Sequence, residues 1–352
     1  MNLADYELFR DQASSWQNMF PESSYIRRPP NLFNLVSEDP GLKSWFLRNV
    51  NIDHQLIPPQ DIYTFRNVYV HDISQVFNEN GSLINGTDRD GNSYESISDI
   101  WDRQICENIP GLSAFIFKSG KDNYGHLLIE MLPKLEMLDV AFNEPITLLV
   151  PTVGDALFGI IQTINKDIYN NKFILKRFLT PVVKCEELIY PGPITKHNNQ
   201  KSHIVNALME KLLFKYGQGL ARSDLYISRR NFHNRRWVNE IETEQIFRDK
   251  GFTVIFPEKL NFQDQIATFA SAKNIAGAMG AGLSNICFSP EDAKVIMIDN
   301  GMYDFFFYDL ACLRRQEFSW IFTKKIAFEN VTQLHDDWQA DSSLIAAALS
   351  ML

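Results

Sequence analysis

Residues 224–300 constrain the fold more than any other part of the chain, because strand-like apolar runs alternate there with helical patterns. Asn239 followed by Glu242 predicts a capping box at the start of one helix, and Gly251 predicts its end. The predicted strands cover residues 225–228, 253–256, 274–276 and 294–299, and a second helix covers 262–272. Such alternation is typical of a parallel sheet with helices packed on its faces.

Two positions in this segment are suited to holding a phosphate group. The first is an arginine cluster directly after the strand at 225–228, formed by Arg229, Arg230, Arg235 and Arg236. Guanidinium groups so close in sequence repel one another unless an anion or carboxylates lie between them, and a nucleoside diphosphate is such an anion. The charge pattern fits a solvated basic loop paired with Glu240 or Glu242 equally well.

The second position is the glycine-rich turn at 277–282, where the absence of side chains allows an anion to approach the backbone closely. Its glycines do not match the G-x-G-x-x-G fingerprint, which argues against a nicotinamide dinucleotide site. For a glycine turn taken alone, tight packing without a ligand is the better interpretation. Together with the arginines, the turn predicts a nucleotide-diphosphate site.

The preceding part of the chain predicts a second α/β unit. Strands are predicted at residues 112–118, 146–150, 173–178 and 182–190, and helices at 123–140 and 155–164. A linker at 191–202 leads into an amphipathic helix with Ile204, Leu208, Leu212 and Leu213 on one side. The pattern predicts two Rossmann-like domains that face a central cleft, with 1–200 as the first domain, 201–330 as the second and 331–352 as a helical tail.

Two further segments lie before the first α/β unit. Residues 1–59 predict an irregular, aromatic-rich lead-in, and residues 62–97 predict a small antiparallel β-meander, because Asn-Gly dipeptides at 80–81 and 85–86 are hairpin signals. The Asp-Arg-Asp run at 88–90 has the spacing of carboxylates that hold a divalent ion, but its last residue begins an Asp-Gly turn. We favour the turn and predict no metal site.

Composition limits the classes of function. The 352-residue chain carries a formal charge of −9, and its pI is near 5.3, which argues against a nucleic-acid-binding surface. Its four cysteines lack metal-ligand spacing and favour a reducing compartment. No signal-peptide pattern and no apolar run of about 18 residues is present, which predicts a cytoplasmic protein. The apolar stretch at 342–352 predicts a packed helix, with a weak membrane or partner contact as the alternative.

A histidine and a glutamate in the first half are suited to act on an acceptor hydroxyl. His126 and Glu130 lie four residues apart on a predicted helix, which follows the strand at 112–118. With Asp122, they are therefore expected at the carboxyl edge of the sheet, where open α/β folds bind ligands. Either side chain can serve as the base that removes a hydroxyl proton. A solvated His–Glu pair on a helix is the alternative.

The same segments, taken in order, resemble the family 61 glycosyltransferases. The resemblance runs from about residue 112 to residue 299. Its motifs are NYGHLLIEMLPKL at 123–135, YISRR at 226–230, RRWVNE at 235–240, FPEKLNFQDQIATFASAKNIAG at 256–277 and GAGLSN at 280–285. The resemblance implies a GT-B-like fold and an inverting transfer of a sugar from a nucleotide sugar. A UDP-sugar is the preferred donor, and no further cofactor is expected. The implied acceptor is an oligosaccharide or a lipid-linked saccharide in bacterial surface or capsular polysaccharide biosynthesis.

The resemblance also implies roles for individual residues. On the acceptor side, Glu130 is the preferred base, and His126 and Asp122 are further candidates. The implied donor-binding residues are Ser228, Arg229, Arg230, Arg236, Gly280, Ala281, Gly282, Leu283, Ser284 and Asn285, with Asn239, Glu240, Glu258 and Met279 in secondary positions.

Two departures from the family pattern leave alternatives open. The family usually has HGAGL where this chain has MGAGL at 279–283, and it often has a glutamate in the strand that is apolar here at 295–298. A thioether offers no strong hydrogen bond to phosphate or ribose. The alternatives are a catalytically silent GT-B scaffold that binds sugars or partner transferases, and a pyruvyl-type transferase on a similar frame. The expected partners are the sugar donor and the sugar acceptor. A peripheral contact with the inner face of the cell membrane is also expected, and no nucleic acid.

Overall fold

The computed structural model describes residues 9–35, 40–87, 95–99, 102, 106–196, 200–232, 236–325 and 337–352. Arg235 and the predicted turn at 88–90 lie outside these residues. The chain divides into two compact units, which we call unit 1 and unit 2. Unit 1 comprises Met1–Ser23 and Ile57–Lys196, and unit 2 comprises Ser24–Leu56 and His197–Leu352.

The strands are numbered in chain order. They are β1 (Ser15–Phe20), β2 (Ser23–Ile26), β3 (Asn31–Phe33), β4 (His54–Ile57), β5 (Gln60–His71), β6 (Val76–Phe77), β7 (Glu107–Ala114), β8 (Ile146–Val150), β9 (Phe173–Arg177), β10 (Val182–Pro191), β11 (Thr195–Lys196), β12 (Gln200–Lys201), β13 (Ser223–Ile227), β14 (Thr253–Ile255), β15 (Ala272–Ala278), β16 (Lys294–Asp299), β17 (Glu317–Phe322), β18 (Lys324–Lys325) and β19 (Trp338–Gln339).

The longer helices are numbered in the same way. They are α1 (Pro40–Val50), α2 (Lys134–Ala141), α3 (Asp155–Asp167), α4 (Ile204–Tyr216), α5 (Glu240–Asp249), α6 (Phe262–Ala270), α7 (Phe306–Leu313) and α8 (Ser342–Leu349). Short 3₁₀ segments cover Ile97–Asp99, Pro257–Lys259 and Ala281–Phe288. No helix among the described residues is long and apolar enough to cross a membrane.

Unit 1 is built on a mixed sheet with the strand order β1-β5-β10-β7-β8-β9, and β6 pairs with β5. The neighbours β1, β5 and β10 are antiparallel, whereas β10, β7, β8 and β9 run parallel. Parallel strands need crossover connections, and α3 supplies the one between β8 and β9. The carboxyl end of β7 leads into the segment that carries His126 and Glu130.

Unit 2 contains a fully parallel sheet with the strand order β14-β13-β15-β16-β17-β3. Its central strands are buried along nearly their whole length, as expected for parallel strands covered on both faces. An aromatic cluster packs α1 against this sheet, because Phe46 contacts the rings of Phe305, Trp320 and Phe322. The structure thus confirms a mixed α/β protein with parallel sheets.

The sequence-based prediction was wrong for the start of the chain. The predicted irregular lead-in contains β1, α1 and β3, and β3 pairs in parallel with β17, almost 300 residues later in the chain. This pairing is also the reason that residues 24–56 belong to unit 2 rather than to the predicted first domain. The region of the predicted meander is dominated by β5, a long strand of the unit 1 sheet.

Candidate functional site

The segment after β7 is a helical turn whose start is fixed by Asn123. The Oδ1 of Asn123 accepts hydrogen bonds from the backbone N–H groups of Gly125 and His126, at 2.9 and 3.4 Å. A π-helical turn follows at Leu127–Met131, and α2 begins only after Pro133. The predicted helix at 123–140 is therefore interrupted. Single π-helical turns are frequent at functional sites, because they reorient the side chains around them.

A glycine in the left-handed region leaves room for the His126 ring. Gly120 has a φ of +83°, and a Cβ at this position would lie 3.2 Å from Cδ2 of His126. A residue with a side chain would strain the backbone at this position and would crowd the ring. Gly120 thus allows the imidazole of His126 to lie against the backbone of the segment that follows β7.

Glu130 is buried and is surrounded by three polar side chains. Its Oε2 lies 2.6 Å from Nδ1 of His126 and 3.0 Å from Nζ of Lys118, and its Oε1 accepts a 2.9 Å hydrogen bond from Oγ1 of Thr195. Only 2 % of Glu130 is exposed. The ammonium group compensates the buried carboxylate charge, which is costly without such partners. His126, Lys118, Thr195 and Glu130 together are called the Glu130 cluster below.

The Glu130 cluster resembles, in its geometry, a carboxylate that orients a catalytic imidazole. When Nδ1 of His126 donates to Glu130, Nε2 is the basic nitrogen, and the carboxylate stabilises the imidazolium that forms on protonation. About a quarter of the His126 side chain is exposed, whereas Glu130 is enclosed. Asp122, the third predicted candidate, is largely exposed and pairs with Lys121 at 3.4 Å.

Sequence reasoning missed two members of the Glu130 cluster. Lys118 ends the predicted strand at 112–118, and Thr195 lies 65 residues after Glu130 in the predicted linker. No local pattern connects Thr195 with the helical segment. Lys118 could have been found from its position. It is a single cationic residue directly after an apolar run, at the sheet edge where a ligand was predicted to bind.

In unit 2, the first arginine after β13 meets the glycine-rich turn after β15. The strands β13 and β15 are parallel neighbours, with Ile227 opposite Gly277, so the segments that follow them meet at one sheet edge. Nη1 of Arg229 donates a 3.1 Å hydrogen bond to the carbonyl of Met279, and a Cβ at Gly280 would lie only 2.0 Å from the same Nη1. Glycine is required at position 280 because the guanidinium group of Arg229 occupies this space. Arg229, Met279 and Gly280 together are called the Arg229 corner.

The neighbouring arginine belongs to a carboxylate network. Nη1 of Arg230 lies 3.4 Å from Oε2 of the fully buried Glu244, which also contacts Arg248 at 3.1 Å. The hydroxyl of Ser228 donates to Oε1 of Glu244 at 2.7 Å and accepts a 3.2 Å bond from the backbone N–H of Arg230. About half of the Arg230 side chain is exposed. Ser228 and Glu244 thus hold the backbone after β13 in place beside the Arg229 corner.

Arg236 forms an ion pair with the end of the chain. Nη2 of Arg236 lies 2.6 Å from Oδ2 of Asp337, and its Nε lies 3.1 Å from the same oxygen. The paired carboxylate raises the pKa of Arg236. This contact connects the segment before α5 to the segment before α8, and Trp237 stacks on Trp338 beside it, with ring centroids 4.4 Å apart.

Asn239 precedes α5 as predicted, but its side chain does not cap the helix. Its Nδ2 donates to the carbonyl of Ala340 at 2.9 Å, and its Oδ1 accepts from the Ala340 N–H at 3.1 Å and from Nε1 of Trp237 at 2.9 Å. The capping-box prediction was therefore wrong, because these tertiary hydrogen bonds replace the local one.

We expect Asn239→Ala to lower the free energy of unfolding by about 1–3 kcal/mol, because the buried Ala340 amide and the Trp237 N–H would lose their partner. Chemical denaturation measures this change. Gln245→Ala, an exposed polar truncation on α5, is the control and should change stability by less than about 0.5 kcal/mol. Unchanged stability of Asn239→Ala together with weakened nucleotide binding would show that Asn239 acts on the donor instead.

The remaining predicted donor-side residues lie around the Arg229 corner at different depths. Leu283, Ser284 and Asn285 are fully buried in the 3₁₀ segment Ala281–Phe288. Nδ2 of Asn285 donates to Oε1 of Gln265 at 3.0 Å and to the carbonyl of Gly282 at 3.1 Å, so it stabilises the turn. Glu258 is exposed and accepts a 2.8 Å bond from Asn231. Ala281 and Gly282 are half-buried at the surface of the turn.

Glu240 is a buried carboxylate beside the Arg229 corner. Its Oε1 accepts a short hydrogen bond from the backbone N–H of Arg229. Burial is the main cause that raises the pKa of Glu240 to about 7, and the nearby charge of Glu244 acts in the same direction. An acid with a raised pKa holds its proton more tightly in the folded state than in the unfolded chain.

We therefore expect the free energy of unfolding to fall as the pH rises from about 4.5 to about 7, and to stay lower above that range. Glu240→Gln should remove this component and raise stability by up to about 3 kcal/mol above pH 7. Denaturation curves of both proteins at several pH values test this. Glu242→Gln, at an exposed position of the same helix, should follow the wild-type profile. Parallel profiles for wild type and Glu240→Gln would contradict the assignment.

The family model described as Glycosyltransferase 61 matches residues 124–296, a range that contains the Arg229 corner and, within the Glu130 cluster, His126, Glu130 and Thr195. A search of curated proteins found no match. The match to this model places residues 124–296 of the chain in the glycosyltransferase 61 family.

Proposed function

We propose that this chain is an inverting glycosyltransferase that moves a sugar from a nucleotide sugar, preferably a UDP-sugar, to a saccharide or lipid-linked acceptor. In this GT-B-type division of roles, unit 2 binds the donor and unit 1 binds the acceptor. One observation carries the proposal: the guanidinium group of Arg229 fills the space above Gly280, at the carboxyl edge of a parallel sheet. Such an edge is where open α/β sheets bind nucleotides.

The Arg229 corner would stabilise the leaving diphosphate. Charge builds up on the diphosphate oxygen as the bond to the anomeric carbon breaks, and a fixed cation lowers the energy of that state. The backbone of the 3₁₀ segment Ala281–Phe288 begins directly after Gly280 and offers N–H groups to the same anion. Arg230 is half-exposed next to Arg229 and is the second donor-side cation that we propose.

His126 would remove the proton of the acceptor hydroxyl. The acceptor oxygen forms the new bond to the anomeric carbon, its proton moves to Nε2 of His126, and the bonding electrons of the old glycosidic bond leave with the diphosphate. We assign the base role to His126 rather than to Glu130, because Glu130 is enclosed and its oxygens already contact three side chains. Glu130 orients the imidazole and compensates its positive charge after proton transfer.

The proposed setting is the cytoplasmic face of a bacterial membrane, in surface or capsular polysaccharide assembly, without a required metal ion. The four cysteines form no disulfide bond with one another, and the proposed reducing compartment is compatible with that. The unusual Met279 is buried, and its carbonyl, not its thioether, contacts Arg229. A backbone contact does not depend on the side chain, so the Met279 departure is compatible with a working donor site.

Release of nucleoside diphosphate by the purified protein tests the function. We expect incubation with a panel of nucleotide sugars to give slow hydrolysis of one of them, and faster turnover with a saccharide acceptor. Mass spectrometry of the product distinguishes sugar transfer from pyruvyl transfer. Binding of a nucleoside diphosphate without any turnover would support the catalytically silent scaffold, and absence of both would overturn the proposal.

A further inference from the structure

Phe232 is an exposed aromatic residue directly beside the Arg229 corner. It lies in the segment that follows β13, and 47 % of the residue is exposed. The guanidinium group of Arg229 lies over its ring, with Cζ 5.4 Å from the ring centroid. This is the distance of a cation–π contact. The cation that we propose for the diphosphate is therefore in contact with an aromatic ring that remains open to a ligand.

The turn that carries Phe232 is held by hydrogen bonds. The backbone N–H of Phe232 donates to the carbonyl of Arg229 at 2.8 Å, which closes a four-residue turn. Within this turn, Nδ2 of Asn231 donates to Oε1 of Glu258 at 2.8 Å. A ring on a fixed turn is pre-organised for a ligand, because the protein loses little conformational freedom on binding.

Three segments meet around this turn at the carboxyl edge of the unit 2 sheet. They follow β14, β13 and β15, which are neighbours in the sheet. Cζ of Arg230 lies 5.4 Å from the ring centroid of Phe256, which follows β14. A Cβ at Gly282, after β15, would lie 3.6 Å from Cγ of Pro257. Phe256 is half-buried, so Phe232 is the more accessible of the two rings beside these arginines.

We propose that Phe232 stacks on the nucleobase of the donor nucleotide. The inference rests on the proposed function, since it requires the diphosphate to bind at Arg229. The nucleoside is covalently attached to the diphosphate, so a ring in contact with the Arg229 guanidinium group is within reach of the base. Every nucleobase has an aromatic face that stacks on such a ring. Phe232 would thus recognise the part of the donor that inorganic pyrophosphate lacks.

Calorimetric titration with UDP and with inorganic pyrophosphate tests this proposal. We expect Phe232→Ala to raise the Kd of UDP by about 5- to 150-fold, the range of base–aromatic stacking, and to leave the Kd of pyrophosphate unchanged. Phe232→Tyr keeps an aromatic ring and should bind UDP like the wild type. Phe214→Ala is the matched control, because Phe214 is an exposed phenylalanine of α4 in the same unit, and it should leave both affinities unchanged.

The possible outcomes separate this inference from the proposed function. Equal UDP affinity of the wild type and Phe232→Ala would overturn the stacking and leave the donor site at Arg229 in place. Equal losses of UDP and pyrophosphate affinity in Phe232→Ala would also overturn the stacking, and would show that the ring supports Arg229 instead. A wild type that binds no nucleoside diphosphate would overturn the proposed donor site and the stacking with it. Circular dichroism establishes that the variants are folded, which is expected at exposed positions.

Discussion

Replacing His126 with alanine is expected to lower kcat by about 10²–10⁴-fold, the usual contribution of a general base, while leaving the donor affinity unchanged. The imidazole lies in unit 1, whereas the proposed diphosphate site lies in unit 2, so the change should affect proton transfer and not nucleotide binding. Turnover under saturating donor and acceptor, together with calorimetric titration of UDP, separates the two quantities.

Variants around His126 make this prediction specific. Glu130→Gln should also lower kcat, because the amide carries no charge to stabilise an imidazolium, and the double variant with His126→Ala should lose little beyond His126→Ala alone. His54→Ala, at an exposed histidine in β4, is the control and should keep the wild-type rate. A wild-type rate for His126→Ala combined with a large loss for Glu130→Gln would return the base role to Glu130.

Weakened nucleotide binding is expected when either partner of the Arg229 corner is changed. Arg229→Ala removes a charged contact to the diphosphate and should cost about 1.5–3 kcal/mol of binding free energy, or roughly 10- to 150-fold in Kd. Gly280→Ala should produce a similar loss without removing any charge, because the new methyl group would lie 2.0 Å from Nη1 of Arg229 and displace the guanidinium group. Calorimetric titration with UDP measures both.

The two substitutions should not be additive, since both act through the position of one guanidinium group. Gly159→Ala is the control, because a Cβ at Gly159 on α3 would meet nothing within 4 Å, and it should leave the affinity unchanged. Additive losses, or a Gly280→Ala variant with wild-type affinity, would show that the diphosphate lies elsewhere. Arg230→Ala should weaken binding less than Arg229→Ala, because Arg230 also contacts Glu244.

Local sequence patterns predicted the α/β elements well where each strand and helix carries its own signal. The bounds of β8 and β16 are those predicted, and α3 and α6 begin at the predicted residues. These elements combine apolar periodicity with clear breaks at glycine, proline or asparagine. Local patterns failed for β3, whose three residues become a strand only because β17 offers an edge.

The candidate site was predictable only in part, for the same physical reason. The motifs containing His126, Arg229 and Gly280 are contiguous in sequence, so they could be identified as chemistry-bearing. The partners that decide their roles come from elsewhere in the chain. Thr195 reaches Glu130 across 65 residues, and Asp337 reaches Arg236 across 101 residues. Such pairs depend on the tertiary fold, and no spacing rule indicates them.

Arg236 illustrates how a long-range partner changes an interpretation. As part of a sequence cluster of four arginines, it was predicted to bind phosphate. In the structure, its guanidinium group pairs with Asp337 and holds the segment before α8. We therefore expect Arg236→Ala to affect stability more than nucleotide affinity. The loss of stability should be small, because an exposed ion pair of this kind contributes little.

A crystal structure with bound UDP would show directly where the diphosphate lies. We expect the diphosphate next to the guanidinium group of Arg229 and the backbone of the turn that begins at Gly280, at the carboxyl edge of the unit 2 sheet. A diphosphate bound at another place in the protein, with Arg229 still enclosed by Met279 and Gly280, would contradict it.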